Sequence, residues 1–248
     1  MLFDLIIYFF FCFSNATSGR TEKVLKCVPT VSKFLFINSI TFQGELRFKP
    51  SKMYYAKFTN VADEFDVCFS VHKNNFKYFD LNPEFTYVEL PYKNESLNLC
   101  IIFPKPHISL REILNKLNLN NLIKLSLSSV QTEVEIHLPI IRLQSNVDLA
   151  YVLQLSGFCR VFEEENAEFT KMAKNSKGLY LESVISNSEL NLQDLSKISS
   201  SIEKSNFAPA PSIYTSILLN RPFIYLVKCE MKKQQTRIIF SGVINVIE

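Results

Sequence analysis

Apolar residues recur along this chain at two periods, and each period predicts its own elements. With a period of two, Val134, Ile136 and Leu138 alternate with Glu133, Glu135 and His137, which predicts a half-exposed strand over Thr132–Leu138. Its polar face puts His137 in water beside Glu135. Pro139 interrupts the alternation before Ile140–Leu143 and predicts a bend or a change of sheet there. Lys33–Phe42, KFLFINSITF, is apolar or small almost throughout, the pattern of a strand buried on both faces in the middle of a sheet. YYAKF from Tyr54 and FDVCFSV to Val71 predict two strands joined by a polar turn, and Phe85–Tyr92 with Leu97–Phe103 predict a hairpin around Lys93-Asn-Glu-Ser96.

The helical period appears twice. Ser109-Leu-Arg-Glu112 has the form of a capping box, and Leu110, Ile113, Leu114 and Leu117 follow at i, i+3, i+4 and i+7. Further on, Ser145 or Asn146 is placed to cap a helix carrying Leu149, Val152 and Leu153, with Gly157 just past its end.

Neither period runs through Gln193–Ser212, QDLSKISSSIEKSNFAPAPS. Extended sequence flanks it: Leu179–Leu192 ends in the alternation Leu190-Asn-Leu192, and Ile213–Val227 is apolar with one proline, Pro222. A structureless connection of about twenty residues inside a compact domain is uncommon, and is usually either a functional loop or a disordered one.

Composition narrows the class. With 248 residues, 47% hydrophobic and 21% charged, the chain can bury a core of its own. A net charge of +3 does not argue for nucleic acid. Two basic clusters, Lys171/Lys174/Lys177 and Lys228/Lys232/Lys233/Arg237, read either as a site for a sulfated polysaccharide or, more simply, as a solvated face and a hairpin turn. Five cysteines after Cys12 are scattered singly, which is neither a disulfide framework nor a metal site, so they are expected to be small buried hydrophobes. Three histidines, five glycines and no HExxH, GxSxG or glycine-rich phosphate loop give no enzyme and no cofactor site.

At the amino terminus Leu5–Phe13, LIIYFFFCF, is followed by Ser14 and Ala16 in a small-x-small arrangement. This predicts a secretory signal over residues 1–16, too short to span a bilayer, although Asp4 and the absence of Lys or Arg ahead of the run depart from the usual form. Cleavage after Ala16 splits the sequon Asn15-Ala-Thr17 and leaves Asn94-Glu-Ser96 as the intact acceptor for N-glycosylation, which also reads as a plain turn.

Ile217-Leu-Leu-Asn-Arg-Pro-Phe-Ile-Tyr-Leu-Val227 and Ile238-Ile-Phe-Ser-Gly-Val243 resemble the carboxy-terminal signature of the serpins. Asn38, Phe42 and Gly44 match that family's Asn-Ala-x-x-Phe-x-Gly-x-Trp strand, with Leu46 in place of the tryptophan. Val88-Glu-Leu-Pro-Tyr92, Ile101-Ile-Phe-Pro104 and the stretch from His137-Leu-Pro through Gly157 and Phe162 to Ala167-Glu-Phe-Thr170 continue the likeness. It implies an α+β serpin-like fold of mixed and antiparallel sheets with a few short helices and an exposed reactive-centre loop over about 193–212. Residues 17–248 would then be a partial serpin domain. Some thirty residues precede the first matched strand, where a complete serpin has a helical half, so the sequence reads as truncated at its amino-terminal side.

By the same resemblance the partner is a serine protease, which cleaves the loop, after which the loop inserts into the main sheet. The hinge falls on Asp194, Leu195, Ser196, Lys197, Ile198, Ser199, Ser200 and Ser201, where the family carries Glu-Glu-Gly-Thr-x-Ala-Ala-Ala. Insertion buries every second side chain. One register buries Lys197 and Glu203, roughly 20 Å apart and unable to pair; the other buries Lys204. Either costs several kcal/mol. The bait lies in Phe207-Ala208-Pro209-Ala210-Pro211, suited to an elastase-like or chymotrypsin-like protease. Proline follows each alanine and blocks cleavage after it, which leaves Phe207–Ala208 as the susceptible bond. Three readings stay open: an extracellular serine-protease inhibitor weakened at the hinge, a non-inhibitory relative that binds a protein, hormone or polysaccharide, and a non-functional fragment.

Overall fold

The computed structural model describes residues 34–60, 63–172, 177–193, 215–231 and 235–245, with the side chain of residue 119 left aside. The signal segment 1–16, the hinge Asp194–Ser201 and the bait Phe207–Pro211 lie outside the described residues. The chain divides into two compact units, 1–42 with 142–191, and 43–141 with 192–248.

The first unit holds a three-stranded sheet in the order β1–β8–β7, from β1 (Leu35–Gln43), β7 (Arg142–Asp148) and β8 (Ser183–Asn191). β1 departs from its expected burial on both faces. It forms one edge of this sheet, and Phe36 and Ile40 remain 53% and 41% exposed, because nothing among the described residues covers that side. Antiparallel pairing of β7 with β8 runs from Arg142 opposite Asn191 to Asp148 opposite Ile185, and the Arg142 guanidinium bonds the Glu189 carboxylate. Ser145 and Asn146 therefore lie in a strand and cap nothing. The helix that follows, Ala150–Leu155, starts at Leu149 without a side-chain cap, and Asp148 Oδ1 accepts from the Ala150 N–H at 2.9 Å. Its end is as expected: Gly157 takes φ 95°, and the Phe158 N–H returns to the Leu153 carbonyl.

The second unit is an eight-stranded sheet. Its main path runs β11–β10–β5–β4–β3–β6–β9, with β2 paired to β3 off that path. β2 (Lys52–Thr59) and β3 (Glu64–Phe79) are the two expected strands, and β4 (Phe85–Pro91) with β5 (Leu97–Pro104) the expected hairpin. β3 runs to 16 residues and serves several neighbours: its first half pairs with β2, residues 69–78 with β6 (Val130–Pro139), and its last three residues with β4. Pro139 ends β6, and the chain goes on into β7 of the other sheet, so the change of sheet holds. The apolar stretch Ile213–Val227 is two strands, β9 (Thr215–Leu218) and β10 (Phe223–Met231), parted by Asn220-Arg-Pro222. That break is anchored: the Asn220 carbonyl accepts from the Thr59 N–H, and the Arg221 guanidinium lies 3.9 Å from the centre of the Phe103 ring. β11 (Gln235–Ile244) pairs with β10 and places Gly242 opposite Tyr225.

Two helices cover β4, β5 and β10. The first, Leu110–Lys116, carries the capping box: Ser109 Oγ accepts from the Glu112 N–H at 3.2 Å. The second, Leu119–Ser128, has no strong signal in the sequence and is capped by Asn118. Ile113 is buried with Phe85, Tyr87, Cys100, Ile102, Ile224 and Leu226, and Leu117, Leu122 and Leu125 pack against them. Cys100 meets the expectation of a buried thiol, whereas Cys68 and Cys229 are half-buried and Cys159 is exposed.

Candidate functional site

The described residues on either side of segment 194–214 both contact β6. The segment departs after Gln193 and returns at Thr215, which opens β9, and β9 lies parallel to β6 with Val134 opposite Thr215 and His137 opposite Leu218. The departing end lies against the carbonyls of Leu138 and Pro139 at the far end of β6, roughly 13 Å further along at 3.3 Å per residue. Twenty-one residues separate these two attachments in the sequence.

Gln193, the first residue of the polar segment, lies outside any strand and is nevertheless buried, 2% exposed. Its Oε1 accepts from the Ser70 hydroxyl at 2.7 Å and lies 3.3 Å from His72 Nε2. Its Nε2 donates to the Leu138 and Pro139 carbonyls at 3.3 and 3.0 Å. Pairing of β3 with β6 sets Ser70 opposite Leu138 and so assembles this seat. His72 is buried too, with Nδ1 3.1 Å from the Phe48 carbonyl; burial lowers its pKa, and the bonds to Gln193 and Phe48 only partly offset that. One residue earlier, the Leu192 carbonyl accepts from the Tyr92 hydroxyl at 3.0 Å, and Gly44 leaves the space through which the ring passes.

At the returning end, His137 does not face water. It is 1% exposed: Nδ1 meets the Tyr54 hydroxyl at 2.5 Å, and Nε2 lies 3.1 Å from Glu135. β3 flanks this part of β6 on one side and β9 on the other, and β2 brings Tyr54 across, so strand alternation does not decide exposure here. Burial, with the Glu135 charge, pushes the Tyr54 hydroxyl up to about 12, while burial lowers His137 against the pull of Glu135.

Lys228 is a second correction. Read as part of a basic surface cluster, it is buried, 5% exposed, and its Nζ bonds Glu89 and Ser126 at 2.8 Å each. Burial alone would raise Glu89, but the charge and hydrogen bond of Lys228 outweigh it and hold the carboxyl below its usual range; Lys228 is raised in turn. Lys228 borders a cavity of about 540 Å³ walled by Tyr87, Cys100, Leu122, Leu226 and Ile238. Asn94 is exposed in the β4–β5 turn, where its Oδ1 accepts from the Ser96 N–H at 3.1 Å. Among the described residues no group of His, Cys, Asp and Glu could hold a metal, and no helix is long and apolar enough to cross a membrane.

The pairing of β9 with β6 ahead of the Asn220-Arg-Pro-Phe223 break accords with the resemblance in the motifs, and the family model described as "Serpin (serine protease inhibitor)" matches residues 12–246. The chain belongs to the serpin family. The match begins further towards the amino terminus than the strand at Lys33. Human Serpin B11 is 24% identical over 226 residues, 86% of this serpin and 57% of its own length. Leukocyte elastase inhibitor of Xenopus laevis is 26% identical over 191 residues, 69% of this serpin and 48% of its own. The chain therefore spans about half to three-fifths of the length of these relatives. In fold, the solved structure of a tumour suppressing serpin matches with a TM-score of 0.80 at 22% identity, covering 99% of this serpin and 65% of that chain.

Proposed function

We propose that this serpin presents segment 194–214 as a reactive-centre loop to an elastase-like or chymotrypsin-like serine protease outside the cell. The observation that carries the reading is the attachment of both ends of the segment to β6, which offers a long connection to an incoming active site. The relative named leukocyte elastase inhibitor supports the protease class. Phe207–Ala208 is the bond attacked, within Phe207-Ala-Pro-Ala-Pro211, and Asp194–Ser201 is the hinge. Lys197 and Glu203, or Lys204, penalise insertion, so trapping is inefficient and most encounters end in a cut chain. The protein acts as bait rather than catalyst. Secretion through Leu5–Phe13 and a glycan on the exposed Asn94 complete the reading.

The test is incubation of the secreted protein with each protease, followed by denaturing electrophoresis and sequencing of the products. A cut after Phe207, with a minor band of covalent complex, is expected. Absence of any cut between 194 and 214 overturns the reading.

A second reading, a non-inhibitory binding protein, is favoured by one observation: the 540 Å³ cavity has apolar walls and polar groups from Tyr87, Ser126 and Lys228, a size and make-up suited to a small ligand. Saturable binding of small amphiphilic probes that Leu226→Trp abolishes would support it. Lys228, buried against Glu89, is withdrawn from the second basic cluster.

A further inference from the structure

The helices Leu110–Lys116 and Leu119–Ser128 border one crevice beside the start of β4. The first brings Ile113 and Lys116 to it, with Leu117 at its carboxy-terminal cap, spaced i, i+3 and i+4. The second brings Asn121, Lys124, Leu125 and Ser128, spaced i, i+3, i+4 and i+7. The helices are tied together at this point, where the Asn121 side-chain amide donates to the Lys116 carbonyl at 3.0 Å. Phe85 of β4 also lines the space, which holds about 340 Å³. The 540 Å³ cavity lies against the opposite stripe of the same helix, Leu122, Ile123, Ser126 and Leu127, so the two are separate.

The crevice combines an apolar floor with one unpaired positive charge. Phe85 and Ile113 belong to the buried cluster under the helices, and Leu117 and Leu125 pack against it. Of the two lysines that line the crevice, Lys116 is spent on the Glu84 carboxylate. Lys124 is exposed and has no ion pair among the described residues. The Ser128 hydroxyl, one turn further along the stripe, is a second donor beside it. Apolar walls with a few polar groups are the make-up of a small-molecule site, and 340 Å³ falls at the small end of the range for such sites.

We propose that this crevice binds a small monoanionic amphiphile of the medium-chain carboxylate class. The chain lies on Phe85, Ile113, Leu117 and Leu125, and the carboxylate takes Lys124 and the Ser128 hydroxyl. A dianion would meet the Glu84 carboxylate without a second free cation to answer it, and a neutral chain would leave Lys124 unused. The site depends neither on the protease-directed reading nor on the larger cavity.

Isothermal titration of the whole protein with octanoate, and with octanol as its neutral counterpart, tests this. Octanoate should bind saturably. Lys124→Gln should weaken it about three- to tenfold, and Lys124→Glu further, because a partly screened charge contact is first lost and then reversed. Octanol should bind equally to the native protein and to Lys124→Gln. Lys124 is exposed, so neither change removes a core contact. Leu226→Trp, which fills the 540 Å³ cavity, should leave octanoate binding as it is. Absence of saturable octanoate binding overturns the proposal, as does binding that Lys124→Gln leaves unchanged or that Leu226→Trp abolishes.

Discussion

The Tyr92 hydroxyl reaches the Leu192 carbonyl at 3.0 Å through space that stays open because residue 44 is glycine. A Cβ on Gly44 would overlap the Tyr92 ring and stand 2.9 Å from the Leu192 oxygen. Gly44→Ala should therefore cost about 1–3 kcal/mol of stability by overpacking, and Tyr92→Phe about 1 kcal/mol by loss of the hydrogen bond. Urea unfolding of both single variants and the double variant should give non-additive losses, since both act on one contact. Additive losses would mean that the ring and the glycine act separately.

Lys228 and Glu89 should behave as a buried pair. Lys228→Met leaves Glu89, 2% exposed, with the longer 3.8 Å ion pair to Lys77 in place of its 2.8 Å partner, and should destabilise by up to roughly 3–5 kcal/mol. Replacing both, as Glu89→Leu with Lys228→Met, should recover much of that loss. Thermal unfolding of the three variants decides; a mild effect of the single change would place Lys228 in contact with water.

Two buried histidines give a direction to pH dependence. His72 and His137 are both lowered from about 6.5 by burial, so the unfolded chain takes up protons at a pH where the folded chain does not. Their stabilisation is complete above about pH 6.5 and is lost as the pH falls from there towards their folded values. Urea midpoints measured from pH 8 down to 5 should fall below 6.5, and His72→Gln should flatten part of the decline. Midpoints that rise on acidification would reverse the sign.

Hinge chemistry can be tested by charge removal. Lys197→Thr with Glu203→Ala clears one register of charged side chains, which otherwise cost several kcal/mol to bury. The share of protease recovered as covalent complex should rise relative to cut chain. An unchanged ratio would show that these two charges do not limit trapping.

Much of the strand order was legible because turns and prolines punctuate it: Lys93-Asn-Glu-Ser96 closes the hairpin, Pro139 marks the passage between sheets, and Gly157 ends its helix at positive φ. The site was less legible. Gln193, His137 and Lys228 are polar, and a one-dimensional pattern assigns polar residues to water. Each is buried by a partner distant in sequence: Ser70 for Gln193, Tyr54 for His137, Glu89 for Lys228. Pairing of that kind leaves no periodic trace. Exposure of Phe36 on β1 was missed for the converse reason, since an apolar run does not tell whether a neighbour covers it.

The attachment of segment 194–214 at both ends to β6 bears on what a cut would look like. Downstream of any break, β9 still pairs with β6 and β10 with β5 and β11; upstream, the Gln193 side chain still occupies its seat. The two polypeptides would stay together as one folded particle, with unchanged elution from a sizing column and an unchanged native mass apart from one added water. A severed molecule would keep its size and native mass until denaturant parts the strands, so a sizing column or a native mass measurement counts a nicked preparation as whole.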